Sequence, residues 1–291
     1  MKHIKKLLTF VVALLLLLLI AFLFISERYN RKPFFFIQMS DPQFGFLDAN
    51  KSVEKETLLY EKAVEIVNRL NPDFVVITGD FVHDHADSSQ WREFNRITGM
   101  FNESIPVYMV PGNHEYSTNP SDEEFAHYKE VYGDDKFSFS HKKNLFIGIN
   151  SYLLKTDSHK LENVQFEWLE NELKAAKNFR NIIVFTHHPF FGTDPDEPET
   201  YSNIGLEKRK KYLELFNKFG VKAVFAGHFH KNSYGNYKGM DMISTSAVGK
   251  QLGKDQSGFR IIKVTKDSVL SKYYSLEELE NIKDISEIND F

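Results

Sequence analysis

The chain contains no cysteine in 291 residues. That excludes disulfides, a thiol nucleophile and lipid attachment through cysteine, and it leaves the redox compartment open. It also lacks a surplus of positive charge: a net charge of −4 offers no global attraction to nucleic acid, so no nucleic-acid partner is expected. No G-x-S-x-G or H-E-x-x-H occurs, which removes the commonest serine-hydrolase and zinc-protease signals. The nearest P-loop lookalike, G-K-Q-L-G-K-D at 249–255, has the wrong spacing and aspartate in place of Ser/Thr. There is no internal repeat, and the pattern carries no signal for an oligomeric state.

What is present divides into an appendage and one large domain. Residues 7–25, LLTFVVALLLLLLIAFLFI, carry no charge over 19 positions, long enough to span most of the ~30 Å hydrocarbon layer at about 1.5 Å per residue. Lys2, Lys5 and Lys6 would suit a signal peptide, but the run is longer than an ordinary h-region and no A-x-A-like site precedes Ser26. The segment 1–29 therefore reads as a cytoplasmic stub and single-pass membrane anchor, with the large domain on the extracytoplasmic side. Residues 30–275 form the expected domain and the acidic stretch 276–291 an exposed helix or tail.

Within the domain, apolar runs bounded by turn residues read as buried strands at 34–40, 74–78, 107–110, 145–150, 182–186 and 224–226. Amphipathic stretches at 56–70, 122–132, 163–177 and 205–220 lie between them. Strand and helix in alternation predict an α/β layered sandwich, and the alternating runs FRIIKVT and SVLSKYYSL after 230 predict hairpins completing a second sheet.

Polar, metal-competent residues recur where these strands end. Asp41 follows FFFIQMS, Asp80 follows FVVITG, Asn113 and His114 follow VYMVPG, His187 and His188 follow IIVFT, and His228 and His230 follow VFAG. Each alone is weak, since a strand-ending aspartate is usually a turn former and G-N-H an ordinary turn. Together they are not, because the carboxyl ends of strands in layered α/β folds converge on one rim.

The ordered set resembles the calcineurin-like metallophosphoesterases, whose signature runs D-x-H, G-D-x-x-[DE], G-N-H-[DE], an H-x-P-type histidine and G-H-x-H. Here it stands as Asp41-Pro-Gln43, Gly79-Asp80-Phe-Val-His83-Asp84, Gly112-Asn113-His114-Glu115, His187-His188-Pro189 and Gly227-His228-Phe229-His230. The D-P-Q first motif is similar to the branch that includes calcineurin-like phosphoesterase domain-containing protein 1. The resemblance implies a four-layer α/β/β/α sandwich. It also implies two divalent metal ions, Mn, Fe, Zn or Mg, a choice that the mixed carboxylate, amide and imidazole donors also suit. By the same carry-over Asp41 and His230 hold the first ion, Asp80 bridges, and Asn113, His187 and His228 hold the second. His114 is then the non-ligand histidine that protonates the leaving group or stabilises charge on the phosphoryl oxygens, with Glu115 orienting it from behind. The implied chemistry is phosphomonoester hydrolysis, phosphoproteins included, by in-line attack of a hydroxide activated between the two ions. A diesterase acting on cyclic nucleotides or lipid head groups, and a non-catalytic metal-binding scaffold, are the competing readings.

One position departs from the pattern. Gln43 stands where the family has histidine, so the first site is expected to be the more labile, with Gln43 or His83 completing it. For the substrate side, His188, Tyr201, Asn203 and Arg209 are the candidate polar contacts.

Overall fold

The computed structural model describes residues 2–30, 32–156 and 158–288. α1 (Lys2–Asn30) leads into β1 (Phe34–Met39), α2 (Glu54–Leu70), β2 (Val75–Thr78), α3 (Ser88–Thr98) and β3 (Val107–Val110). α4 (Asp122–Tyr132) precedes β4 (Phe137–His141) and β5 (Asn144–Gly148). Then come α5 (His159–Ala175), β6 (Asn181–Phe185), α6 (Leu206–Phe219), β7 (Ala223–Ala226), β8 (Ser233–Tyr237) and β9 (Met240–Ser244). β10 (Gly258–Val264), β11 (Val269–Ser275) and α7 (Leu276–Leu279) follow, with a 3-10 turn at Ile285–Glu287 after them. The strands form two sheets, ordered β11-β10-β1-β2-β3 and β4-β5-β6-β7-β9-β8. This is the expected metallophosphoesterase sandwich, with one difference. The β10–β11 hairpin does not join the second sheet; β10 pairs antiparallel with β1, Gln38 opposite Arg260, and extends the first.

Strand alternation sorts the side chains into layers. Ile37 and Met39 of β1 face the helices with Tyr60, Val64 and Val67 of α2, while Phe34 and Phe36 face the other sheet. Phe36 sits at the centre of that inter-sheet layer, stacked on Phe74 at 4.7 Å and meeting Phe146 at 5.5 Å and Phe185 at 5.9 Å. Aromatic packing of this kind holds the sheets face to face. α3 was not among the helices expected from periodicity. It is short and begins at the N-cap Asp87, whose side chain accepts from Ser89 N.

The acidic C-terminal stretch is not a free tail over its described part. Ser275 and Glu278 form a capping box, Leu276 and Leu279 are buried, and Arg69 of α2 donates to the carbonyls of Leu279 (2.8 Å) and Ile282 (2.7 Å). At the other end, Phe10–Asn30 of α1 contains an 18-residue window with a mean hydropathy of 2.9, and its apolar side chains are exposed wherever they are described. By length and composition this one helix could cross a membrane or act as a signal sequence. Its last turn is tied to the β4–β5 side of the domain, Glu27 meeting Lys143 at 2.5 Å and Arg180 donating to Asn30 O at 2.8 Å.

Candidate metal centre

The loops leaving β1, β2, β3, β6 and β7 meet on one rim, as the strand ends require. Backbone bonds zip the first two together, Asp41 N to Gly79 O (3.1 Å) and Gln43 N to Asp80 O (2.9 Å). Five site residues take left-handed backbone conformations: Asp41 (φ 51°), Gln43 (40°), Asp80 (50°), His228 (65°) and His230 (48°). Non-glycine residues rarely adopt that region, and such strain collects at functional sites. The rim is packed closely enough to require glycine beside it, because a Cβ on Gly227 would collide with Ser40 Oγ and Asp41 Oδ2.

Two groups of donor atoms result, His187, His188 and His228 in one and Asp41, Asp80 and His230 in the other, all buried. His187 Nδ1 donates to Thr78 O (2.8 Å), which turns its Nε2 toward the rim. Facing that nitrogen are Asp80 Oδ2 (3.2 Å), Asn113 Oδ1 (3.2 Å) and His228 Nδ1 (3.0 Å). Asn113 is oriented by its other end, Nδ2 donating to Tyr201 OH (3.1 Å), so its oxygen faces inward. In the second group His230 Nε2 stands 3.2 Å from Asp41 Oδ1, and the other ring nitrogen bonds Lys250 O. Gln43 Oε1 and His228 Nε2 are buried with no protein partner. Acceptors converging with too few protons, and orphaned oxygen and nitrogen atoms beside them, fit divalent cations.

The electrostatics agree. Burial works against a charged His187, but Asp80 and Asp41 outweigh it and raise the imidazole to about 9. Burial likewise opposes ionisation of Asp80, yet the surrounding His187 and His114 hold it well below the carboxylate range. Burial and the neighbouring His187 push His228 down to about 3. The rim thus attracts positive charge without being able to spread it over all its histidines.

His114 Nδ1 bonds to His83 O (2.7 Å), and its ring stacks on His83 at 4.8 Å, which in turn stacks on Phe46 at 4.7 Å. Nε2 is left available. The expectation that Glu115 sits behind this imidazole is corrected by the geometry. Its carboxylate instead accepts the backbone N–H groups of Gly112 (2.6 Å), Phe81 (2.7 Å) and Asp80 (2.8 Å), pinning the second and third loops together. The His83 carbonyl takes the orienting place. His83 also lies 3.4 Å by its Nδ1 from Gln43 Nε2. That contact leaves Gln43 Oε1 as the free atom.

Of the expected substrate contacts, only Tyr201 reaches the rim with solvent access, its ring 5.3 Å from His228 and 70% exposed. His188 is buried among the ligand candidates, 4.3 Å from the His228 ring, with Ser151 Oγ at its Nδ1 (3.2 Å). Asn203 and Arg209 do not face the rim; both hold the 194–204 loop from inside. Asn203 bonds Thr200 N and Glu197, and Arg209 donates to the carbonyls of Pro195, Glu197 and Ile204. Ser40, Thr78 and Ser151, which bond the candidate ligands, escaped sequence reasoning. For Ser40 the only available signal was adjacency to Asp41.

The calcineurin-like phosphoesterase family model matches residues 36–232. Serine/threonine-protein phosphatase CPPED1 of Rattus norvegicus is 37% identical over 273 residues, covering 87% of this chain and 88% of that one. The 3',5'-cyclic adenosine monophosphate phosphodiesterase CpdA of Vibrio vulnificus is 21% identical over 241 residues, covering 81% and 84%. Among solved structures, a dimetal phosphatase from Danio rerio superposes with a TM-score of 0.62 at 16% identity, covering 83% and 99%. The chain belongs to the calcineurin-like phosphoesterase family, in the CPPED1-type branch, and is a metal-dependent phosphoesterase.

Proposed function

We propose that this phosphoesterase hydrolyses phosphomonoesters, phosphoserine and phosphothreonine of proteins foremost, at a two-ion centre on the rim. The observation that carries the two-ion reading is the set of acceptor atoms around His187 Nε2 together with the orphaned Gln43 Oε1. Asp41, His230 and Gln43 would hold one ion, Asn113, His187 and His228 the other, with Asp80 between them. When bound, two such ions supply Lewis acidity to phosphoryl oxygens and lower the pKa of a water that then attacks in line. The chain's own part is orientation and proton transfer. Asn113 and Tyr201 fix one wall, and the Phe46–His83–His114 stack fixes the other. His114 Nε2, free because Nδ1 is committed, would carry the proton to the leaving oxygen.

The substrate class rests on the protein-phosphatase relatives, which align over nearly the whole chain at higher identity than the cyclic-nucleotide diesterase. The direction of β1 favours it over lipid head groups. α1, read as a single-pass anchor with the domain extracytoplasmic, enters β1 at Phe34, and the rim begins at Asp41 beyond the far end of that six-residue strand. At about 3.3 Å per residue the rim then stands roughly 20 Å from the anchored end.

The test uses the full chain in detergent, stripped of metal and reloaded with Mn, Fe, Zn or Mg. It is offered an aryl phosphate monoester, the matching diester, a phosphoserine peptide and a cyclic nucleotide. Metal-dependent monoester and phosphopeptide turnover, lost in Asn113→Ala, is expected. Preference for the diester or the cyclic nucleotide would overturn the monoesterase reading.

A further inference from the structure

The aromatic layer between the sheets ends in a polar one just below the metal rim. Strand alternation continues the inward-facing series of Phe34 and Phe36 to Gln38, that of Phe74 and Val76 to Thr78, that of Val264 and Ile262 to Arg260, and that of Ile243 to Thr245. All four of these polar residues are buried. Polar groups in such a layer are costly unless bonded.

They are bonded in series. Arg260 Nε donates to Thr245 Oγ1 (2.9 Å), and the Thr245 hydroxyl donates to Gln38 Oε1 (2.6 Å). Gln38 Nε2 donates to Thr78 Oγ1 (3.0 Å), Thr78 to Ser40 Oγ (2.9 Å) in preference to Met39 O (3.2 Å), and Ser40 to Asp41 Oδ2 (2.5 Å) in preference to Thr78 O (3.2 Å), the shorter bond taking the single hydroxyl proton each time. The direction is determined at both ends, because a guanidinium only donates and a carboxylate only accepts. It is also determined in the middle: Gln38 Nε2 donates to Ala226 O (3.0 Å), which leaves the amide oxygen for Thr245. Arg260 makes no ion pair among the described residues; its other donations go to Asn232 Oδ1 (2.7 Å) and Ser244 O (3.5 Å).

We propose that this chain of five hydrogen bonds is a positioning relay that ties the buried Arg260 guanidinium to Asp41 and sets the affinity of the first metal site. The proposal rests on the assignment of Asp41 as a ligand. Asp41 Oδ2 accepts from Ser40 Oγ and from His228 N (3.0 Å), which also reaches Oδ1 (3.2 Å), and Oδ1 is the oxygen that faces His230 Nε2 (3.2 Å). The carboxylate is thereby held in one orientation, with Oδ1 toward the first site. Aligned hydrogen bonds polarise one another, so the positive end at Arg260 strengthens the Ser40 donation that fixes Asp41 Oδ2. A first site with an amide at Gln43 instead of an imidazole depends more heavily on that fixed carboxylate. Partners behind a ligand are typically worth 10- to 100-fold in metal affinity.

The deciding pair is Thr245→Val, which removes the middle hydroxyl while keeping the side chain's shape, and Thr245→Ser, which keeps the hydroxyl. Stepwise Mn²⁺ affinities of the full chain in detergent are measured by chelator competition, with thermal melts alongside. Thr245→Ser should match the parent, and Thr245→Val should lose about 10- to 100-fold in affinity for one ion while the other is unchanged. Its kcat should recover at high Mn²⁺ with KM unaltered. Arg260→Gln should show the same selective loss, and the double variant should be no worse than either single one, since both cut the same chain. Affinities within threefold of the parent in a folded Thr245→Val, or equal loss of both ions, would overturn the relay. Should Arg260→Gln fail to fold, the Thr245 pair decides alone. A parent that binds no pair of ions would instead overturn the metal-site reading itself.

Discussion

Replacing Glu115 with alanine separates two roles that predict opposite phenotypes. Three strong backbone donors, Gly112, Phe81 and Asp80 N–H at 2.6–2.8 Å, lose their acceptor in a fully buried place. Each unsatisfied buried amide costs about 1–3 kcal/mol. Against this, burial and the neighbouring Asp80 push Glu115 up to about 8, so removing the carboxylate relieves some repulsion. The gross cost is therefore about 3 kcal/mol or more, and a net loss of about 2–3 kcal/mol after that relief is equivalent to a melting shift of roughly 4–12 °C for a domain of this size. The loops that lose their clasp carry Asp80 and Asn113, so metal content should fall with stability. Thermal melts with and without Mn²⁺, metal content by elemental analysis and kcat per loaded site are the assays. The geometry predicts a lower melting point, less metal, and near-normal turnover in those sites that load. A melting point within about 2 °C of the parent, full metal content and a collapsed kcat would refute the reasoning and restore Glu115 to a place behind His114.

His114→Asn should leave both metal affinities intact and lower kcat by about 10²- to 10⁴-fold, the usual worth of a positioned proton donor, as read in steady-state assays at saturating metal. Arg209→Ala removes the donor from three loop carbonyls, so Tyr201 should lose its fixed position. KM is expected to rise several-fold with kcat little changed, and a stable variant with unaltered KM would contradict that link. Asp73 is held below the usual carboxylate value despite burial, by His141 (2.8 Å) and Lys142 (2.8 Å). A depressed carboxylate stabilises above its unfolded pKa and loses that contribution as pH falls through the folded one. Asp73→Asn should therefore cost about 1 kcal/mol at pH 7, with the gap to the parent closing as pH falls below the ordinary carboxylate range in urea titrations.

The metal rim was legible because each candidate ligand follows an apolar strand, and strand ends must converge in this architecture. Asp41, Asp80, Asn113, His187, His228 and His230 meet as their positions implied. The roles of neighbours were not legible in the same way. Glu115 follows His114 directly, but the turn points its carboxylate back at the Gly112 and Asp80 amides, a matter of local backbone direction that residue order does not carry. Arg209 and Asn203 look like phosphate contacts by type, yet a loop crossing the rim needs internal donors and acceptors, and these residues supply them. Gln38 and Arg260 were hidden differently. Gln38 is the one polar residue of β1 and Arg260 shares β10 with Lys263, so neither stands out as half of a pair, and their connecting partner Thr245 lies 207 residues from Gln38 along the chain. The β10–β11 hairpin was recognisable as a hairpin, but its choice of sheet is decided by the register of β10 with β1, which alternation alone leaves open.

Anomalous diffraction from crystals of the protein grown with Mn²⁺ tests the two-ion centre most directly. Two peaks about 3.5–4 Å apart are predicted, one beside Asp41, Gln43 and His230, the other beside Asn113, His187 and His228, with Asp80 between them. A single peak, or peaks away from this rim, would contradict the account.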